Sequence, residues 1–95
     1  MFFVGIDIAK NSHEATVIDC NGEFIVKPFK FQNSIQGFKK LLSALTLLSE
    51  NISDFEFGME ATGHYWLNLY TKLIESNYNV HVINPVQSDA LRGLY

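Results

Sequence analysis

Two acidic residues, Asp7 and Glu60, each follow the local pattern Gly-x-acid at the end of an apolar segment. Because side chains alternate between the two faces of a strand, each acid would share a face with the glycine two residues before it. Two carboxylates a few ångströms apart repel each other unless a divalent cation neutralises them. Mg²⁺ and Mn²⁺ prefer such oxygen ligands, and ions so held can activate a nucleophile and stabilise a leaving oxygen at a phosphodiester. The spacing alone leaves an alternative open, because a strand Asp followed by a strand-end Glu also occurs by chance.

Hydrophobic patterning predicts five strands and three helices that would position the two acids. Short aromatic and β-branched runs are typical of strands, and apolar residues three and four apart are typical of amphipathic helices. Asn21-Gly22 predicts a hairpin, and Asn33 and Thr62 are predicted helix caps. The predicted strands span residues 2–8, 13–19, 23–31, 54–60 and 79–83, and the predicted helices span residues 34–49, 63–76 and a third from Asn84-Pro85 onward.

The order of these elements, βββαβαβα, predicts a mixed five-stranded α/β sheet. A hairpin joins antiparallel neighbours, whereas a helix between two strands implies parallel pairing through a right-handed crossover. Pro28 cannot donate to a strand ladder, so the third strand is expected at an edge. The predicted spatial order is 3-2-1-4-5 with helices on the faces, which is the arrangement of the RNase H-like fold. In that arrangement the first and fourth strands are parallel neighbours whose ends bring Asp7 and Glu60 together.

Composition limits the chain to one small domain, because it has 95 residues. A hydrophobic fraction of 47% is high for an independent domain of this size, which suggests that some apolar surface is covered by further chain or a partner. The net charge of −3 gives no sign of a basic face and counts against DNA binding by this segment in isolation. The single Cys20 excludes an internal disulfide. Without a membrane-length apolar segment or a recognisable signal peptide, we expect a cytoplasmic location and no membrane partner.

Three strings of the sequence resemble a known family in their order and spacing. They are Gly5-Ile6-Asp7-Ile8-Ala9-Lys10, Met59-Glu60-Ala61-Thr62-Gly63-His64-Tyr65 and Ile83-Asn84-Pro85. The chain resembles the N-terminal segment of the DEDD transposases of the insertion sequence 110 type, which are related to Piv-like DNA invertases. The string from Glu60 to Tyr65 is the most specific of the three, whereas Gly-Ile-Asp alone is a weak signal.

The resemblance implies a RuvC-like catalytic domain in which four acids bind Mg²⁺ or Mn²⁺ for DNA strand cleavage and transfer during transposition. Asp7 would be the first acid and Glu60 the second. The third and fourth would be two Asp three residues apart beyond Tyr95, so residues 1–95 would be an N-terminal part that is inactive alone. Asp89 does not fit that position and is interpreted as a surface charge near a helix start. The resemblance further implies a C-terminal domain with a nucleophilic Ser, a structured non-coding guide RNA, and a homo-oligomer of the full-length protein.

Four further residues near the two acids are candidates for nucleic-acid binding. Thr62 and Gly63 begin the predicted second helix, whose free N–H groups could hold a phosphate, although a simple N-cap by Thr62 explains the same pattern. Lys10 could contact a phosphate or pair with a carboxylate, or be an exposed loop residue. Tyr65 could stack on a base, whereas the neighbouring Trp66 is predicted to lie in the core.

Two other classes of function are compatible with this strand order. A sugar-kinase or actin-like ATPase domain also starts its first hairpin with Gly-x-Asp, but its chemistry needs a Gly-rich turn that approaches phosphates. Here Ile8-Ala9-Lys10-Asn11 occupies that turn. A non-catalytic RNase H-like interaction module is also compatible, since two acids do not exclude it.

Overall fold

One mixed sheet organises residues 1–84, which are the residues described by a computed structural model of the chain. Its strands run in the order β3-β2-β1-β4-β5, which confirms the predicted order. The predicted third helix lies outside the described residues. The elements are β1 (Phe2–Asp7), β2 (Ser12–Asp19), β3 (Phe24–Gln32), α1 (Ile35–Thr46), a 3₁₀ turn (Ile52–Asp54), β4 (Phe55–Glu60), α2 (Leu67–Glu75) and β5 (Asn79–Ile83).

The pairing of the strands follows from the connections between them. β1 is antiparallel to β2 and parallel to β4, β2 is antiparallel to β3, and β4 is parallel to β5. β3 forms an edge of the sheet, as its proline predicts. Pro28 falls where the β2–β3 register is irregular, between the pairs Ala15–Phe29 and Val17–Val26, so its missing N–H interrupts no regular ladder.

The predicted hairpin between β2 and β3 is present, but its turn is held mainly by Asp19. The Asp19 carboxylate accepts hydrogen bonds from the backbone N–H groups of Asn21 and Glu23, at 2.9 and 3.0 Å. Gly22 has a φ of +81°, which glycine adopts without steric cost. Asn21 has no positive φ, so the turn is not the two-residue type that the Asn-Gly pair favours.

The hydrophobic core lies on one face of the sheet, where both helices pack. Alternate residues of the strands point to this face and are covered by the apolar stripes of α1 and α2. Trp66 is half-buried and packs against this core, in line with its predicted place. The fully buried apolar residues are Val4, Ile6, Ala15, Val17, Phe31, Leu41, Leu45, Phe55, Phe57, Met59, Leu69 and Leu73.

The two helices begin later than the sequence predicts, and their caps differ. Ser34, not Asn33, is the N-cap of α1, and its hydroxyl accepts a hydrogen bond from the N–H of Gly37 at 3.1 Å. The predicted cap of α2 at Thr62 is also wrong. Gly63 has a φ of +57°, in the left-handed region, so the helix cannot start there; residues 63–66 form a turn and α2 starts at Leu67.

The second face of the sheet is not covered by any element within residues 1–84. Phe3 on this face stays 41% exposed, and an added Cβ at Gly5 or Gly58 would meet no atom of the described chain within 4 Å. β1 was predicted as a buried strand, but it alternates between buried and exposed residues because only one of its faces is covered. None of the helices within these residues is long and apolar enough to cross a membrane.

Candidate functional site

Asp7 and Glu60 occupy equivalent positions at the ends of two adjacent parallel strands. In the β1–β4 ladder Gly5 lies opposite Gly58 and Ile6 lies opposite Met59, so the next residue of each strand is one of the two acids. Adjacent strands lie ~4.8 Å apart, and side chains in the same register of a parallel pair point to the same face. Both acids are on the uncovered face and are exposed.

An open groove of about 500 Å³ on this face contains both acids, and we call it the acidic groove. It also contains Glu14, which the antiparallel β1–β2 register places directly opposite Asp7. Glu14 could not be predicted as part of this groove, because the connection between β1 and β2 carries no signal that sets their register. The groove is lined by Gly5, Ile6, Asp7, Ile8, Glu14, Thr16, Gly58, Met59, Glu60, Thr62 and Ile83.

The glycine pair of the β1–β4 ladder gives the acidic groove its floor. With no side chain at Gly5 or Gly58, the sheet surface below the two acids is flat and open. The same glycines also line a second open groove of about 500 Å³, which continues along the sheet over Phe3 and Ile18. The uncovered face therefore combines an acidic end with a mainly apolar groove, whose lining also includes Glu56 and His81.

Backbone hydrogen bonds hold the chain that leaves β4 against the end of β5. The N–H of Ala61 donates to the carbonyl of Ile83 at 2.9 Å, and the N–H of Thr62 donates to the carbonyl of Glu60 at 3.0 Å. These bonds fix the direction of the chain that follows Glu60. They also place Thr62 on the wall of the acidic groove.

The loop that leaves β1 after Asp7 is hydrogen-bonded to a side chain of β2 and to the segment between β3 and α1. The N–H of Ala9 donates to Nδ1 of His13 at 3.2 Å, and the N–H of Asn33 donates to the carbonyl of Asn11 at 2.9 Å. Burial lowers the pKa of His13, and this outweighs the opposing effects of the Asn33 amide and the Asp7 carboxylate. The ring is therefore neutral near neutral pH.

Of the four residues predicted to contact nucleic acid, the structure brings Thr62 to the acidic groove with the two acids. Lys10 is exposed in the loop after β1, and Gly63 and Tyr65 belong to the turn before α2. None of these three lines the acidic groove. Because α2 starts four residues after Gly63, the phosphate site expected at a helix N-terminus by Thr62 and Gly63 is not formed.

The turn that carries Tyr65 is hydrogen-bonded to the segment between β3 and α1, and its Trp66 packs against the core. The side-chain amide of Asn33 donates to the carbonyl of Tyr65, and the amide of Asn68 donates to the Asn33 side chain, both at 3.4 Å. The indole N–H of Trp66 donates to the carbonyl of Gly63 at 3.2 Å. Tyr65 itself remains 42% exposed above this turn.

A second polar cluster lies on the uncovered face, away from the acidic end. Glu56 accepts a hydrogen bond from the amide of Asn79 at 2.9 Å, and its other carboxylate oxygen lies 2.7 Å from Nε2 of His81. The hydrogen bonds with His81 and Asn79 lower the pKa of the Glu56 carboxyl. Glu56 shares a strand and a face with Glu60 but does not line the acidic groove. A substitution of Glu56 can therefore serve as the control for a substitution of Glu60.

The acids of the described chain do not by themselves form a complete metal site. Within residues 1–84 no three side chains of His, Cys, Asp or Glu are grouped closely enough to hold a metal ion. Asp7 and Glu60 supply oxygen ligands, and a catalytic cation would need further ligands from elsewhere.

The sheet order and the RuvC structures together define the class of this domain as RNase H-like. RuvC of Thermus thermophilus in complex with a Holliday junction substrate has a similar fold, with a TM-score of 0.57 and 11% identity, covering 92% of this chain and 66% of RuvC. A further structure of Thermus thermophilus RuvC gives a TM-score of 0.55 with 13% identity over the same shares. At such low identity the likeness shows the fold alone.

Sequence comparison shows the family to which this chain belongs. Residues 4–95 match the family model of the DEDD transposases of the insertion sequence 110 type, described as a transposase, and the chain belongs to this family. The pilin gene-inverting proteins of Moraxella bovis and Moraxella lacunata are each 34% identical over 84 residues, which are 88% of this chain. The chain spans 25% of the length of these relatives. Membership of this family does not favour the sugar-kinase or ATPase alternative.

Proposed function

We propose that this chain supplies the first two acids, Asp7 and Glu60, of the metal site of a DNA transposase or recombinase. The observation that carries the proposal is the β1–β4 register, in which Ile6 and Met59 are partners and the two acids follow them side by side. Both acids line one groove on an uncovered sheet face. Such a groove is open to a large substrate such as a DNA strand.

The donor chemistry of the acidic groove fits Mg²⁺ or Mn²⁺. Its charged groups are carboxylates, the hard oxygen ligands that these ions prefer, and the part of the chain described here contributes no thiol or imidazole to its lining. When bound, the cation would polarise the scissile phosphate and favour formation of a nucleophilic oxygen. Asp7 and Glu60 would hold and orient it, while Glu14 adds negative charge to the same groove.

Residues beside the acids would orient the nucleic acid. Lys10, which is exposed on the loop that follows Asp7, would contact a phosphate that approaches the groove. Thr62 would contribute its hydroxyl at the groove wall, and Tyr65 is exposed on the adjoining turn, where it would stack on a base. We assign Gly63 an indirect role, because its left-handed backbone shapes this turn.

The proposal also includes features of the full-length protein that membership of the family implies. We infer that residues 1–95 are the N-terminal part of a RuvC-like domain whose third and fourth acids, followed by a nucleophilic Ser, come later in the chain. The substrate would be DNA, which agrees with the inversion of a gene by the named relatives and the Holliday junction bound to RuvC. A structured guide RNA would select the sites, and the full-length protein would act as a homo-oligomer.

The proposal is tested by two substitutions in the full-length protein, Asp7→Asn and Glu60→Gln. Each preserves size and hydrogen bonding but removes one negative charge from the site. We expect DNA recombination to fall by ~10²–10³ or more, because a key electrostatic contact of the transition state is weakened. Thermal melting without divalent ions should change little, since both acids are exposed.

Glu56→Gln is the matched control for these variants, because it removes a carboxylate from the same face of β4 outside the acidic groove. It should recombine DNA at the parental rate. If Asp7→Asn and Glu60→Gln melt like the parent and also recombine at its rate, the acids are structural and the non-catalytic module is the better interpretation.

A further inference from the structure

His13 is a polar residue buried among the apolar side chains of the core. It lies on β2 with 1% of its surface exposed, and its ring packs edge-on against Phe31 with 5.5 Å between the ring centres. Among residues 1–84, its Nε2 atom is buried and has no partner at hydrogen-bonding geometry, although the nearby Asn33 side chain raises the pKa of the ring. A buried polar atom without a hydrogen-bond partner lowers the stability of the fold, and an apolar side chain at this position would avoid that cost. Packing alone therefore does not account for a histidine here.

The other ring nitrogen has a defined partner. Because a backbone N–H can only donate, the 3.2 Å bond from Ala9 makes Nδ1 of His13 the acceptor, and the neutral ring then carries its proton on Nε2. Ala9 is two residues after Asp7 and one before Lys10. The bond therefore fixes the backbone of the loop just beyond the first acid.

A second bond fastens the far end of the same loop. The N–H of Asn33 donates to the carbonyl of Asn11 at 2.9 Å, just before β2 begins at Ser12. The loop from Ile8 to Asn11 is thus held at Ala9 by a side chain and at Asn11 by the backbone before α1. The bond at Ala9 is the nearer of the two to Asp7.

We propose that His13 is a positioning residue: its Nδ1 atom holds the loop that leaves β1 and so keeps Asp7 directed at the acidic groove. This inference rests on the proposed function of Asp7 and deepens it. His13 touches neither metal nor DNA, because it lies on the core side of β2, whereas Asp7 and Glu14 lie on the uncovered face.

Two variants of the full-length protein separate the acceptor role from packing. His13→Asn places a carbonyl oxygen close to the position of Nδ1 and keeps an acceptor for Ala9, whereas His13→Leu fills the space and removes the acceptor. We expect His13→Leu to lower the recombination rate at limiting Mg²⁺ by about 10- to 100-fold, the usual effect of losing a group that orients a metal ligand. Raised Mg²⁺ should restore part of this loss, and His13→Asn should stay close to the parent.

A structural measurement accompanies the kinetics. Hydrogen exchange of the Ala9 amide should be slow in the parent and in His13→Asn, and faster in His13→Leu. If His13→Leu exchanges and recombines like the parent at every Mg²⁺ concentration, the proposal is wrong. It is also wrong if both variants lose activity to the same extent with the Mg²⁺ dependence unchanged, because His13 then serves packing alone.

The unsubstituted protein provides a test that does not depend on the folding of any variant. Nitrogen chemical shifts of ¹⁵N-labelled histidine should show His13 as the neutral ring protonated on Nε2, and protonation on Nδ1 would overturn the proposal. This measurement and the exchange of Ala9 do not involve activity. A protein that shows both signals but keeps its activity in Asp7→Asn would refute the proposed function and leave only the loop contact.

Discussion

Gly5 of β1 lies directly opposite Gly58 of β4 in the parallel ladder at the centre of the sheet. Each glycine is followed, two residues later and on the same face, by an acid at the strand end. The same register places Asp7 and Glu60 side by side, and the two glycines leave the surface beneath them open. This relationship links the strand order to the proposed metal site.

Gly37 in the first turn of α1 should not tolerate a side chain. A Cβ there would overlap with the backbone of Gln32, including its carbonyl oxygen, and backbone cannot rotate away as a side chain can. We expect Gly37→Ala to destabilise the chain by about 1–3 kcal/mol, as overpacking does, despite the higher helix propensity of alanine. Urea denaturation measures this difference. Ser43→Ala, at an exposed position of the same helix, is the control and should be neutral or slightly stabilising; equal effects of the two would contradict the close packing.

The turn before α2 should depend on Gly63 and not on a Thr62 cap. Gly63 has a φ of +57°, and a residue with a Cβ in this conformation costs about 1–2 kcal/mol. Gly63→Ala should lower the free energy of unfolding by that amount. Thr62→Ala should change it by less than ~0.5 kcal/mol, because Thr62 is exposed and α2 starts at Leu67. If Thr62→Ala lowers the free energy of unfolding by about 1 kcal/mol, Thr62 acts as the helix cap that the sequence predicts.

The buried imidazole of His13 should make the fold sensitive to mild acid. Burial lowers its pKa in the folded state, whereas a histidine in the unfolded chain titrates near ~6.5. Below about pH 6.5 the unfolded state therefore binds a proton that the folded state excludes. The free energy of unfolding decreases as the pH is lowered from about 6.5 to the folded-state pKa of His13. The contribution is fully present above that range.

Urea denaturation across this pH range measures the effect. His13→Asn should flatten the pH dependence of the free energy of unfolding, while His64→Asn controls for loss of an exposed histidine. Hydrogen bonds with His81 and Asn79 lower the pKa of the Glu56 carboxyl, so that this group titrates below the histidine range. An unchanged acid slope in His13→Asn would show that another group is responsible.

The sequence was sufficient to predict the sheet because its signals are local and independent. The apolar runs define the strands, Pro28 identifies the edge strand, and the helices between β3, β4 and β5 require parallel pairing. The two acids could be selected for a similar reason, since the same Gly-x-acid pattern ends two strands that this topology makes neighbours.

Features that depend on backbone geometry or on register could not be predicted. The left-handed φ of Gly63 and the choice of Ser34 over Asn33 as a cap depend on how the chain turns, not on residue type alone. No local sequence pattern assigns a role to His13 or places Glu14 in the acidic groove. Their places follow from the β1–β2 pairing and from the bond between Ala9 and the imidazole.

The central claim, that Asp7 and Glu60 share a divalent cation, is tested most directly by Mn²⁺-induced broadening of backbone amide NMR signals in the 95-residue chain. Mn²⁺ should first broaden the amides at the ends of β1 and β4, excess Mg²⁺ should reverse the effect, and Asp7→Asn or Glu60→Gln should weaken it strongly. Binding should itself be weak, because the described part of the chain supplies an incomplete ligand set. Broadening centred on other acids, such as Glu23 or Glu75, or broadening that is unchanged in both variants, would contradict the claim.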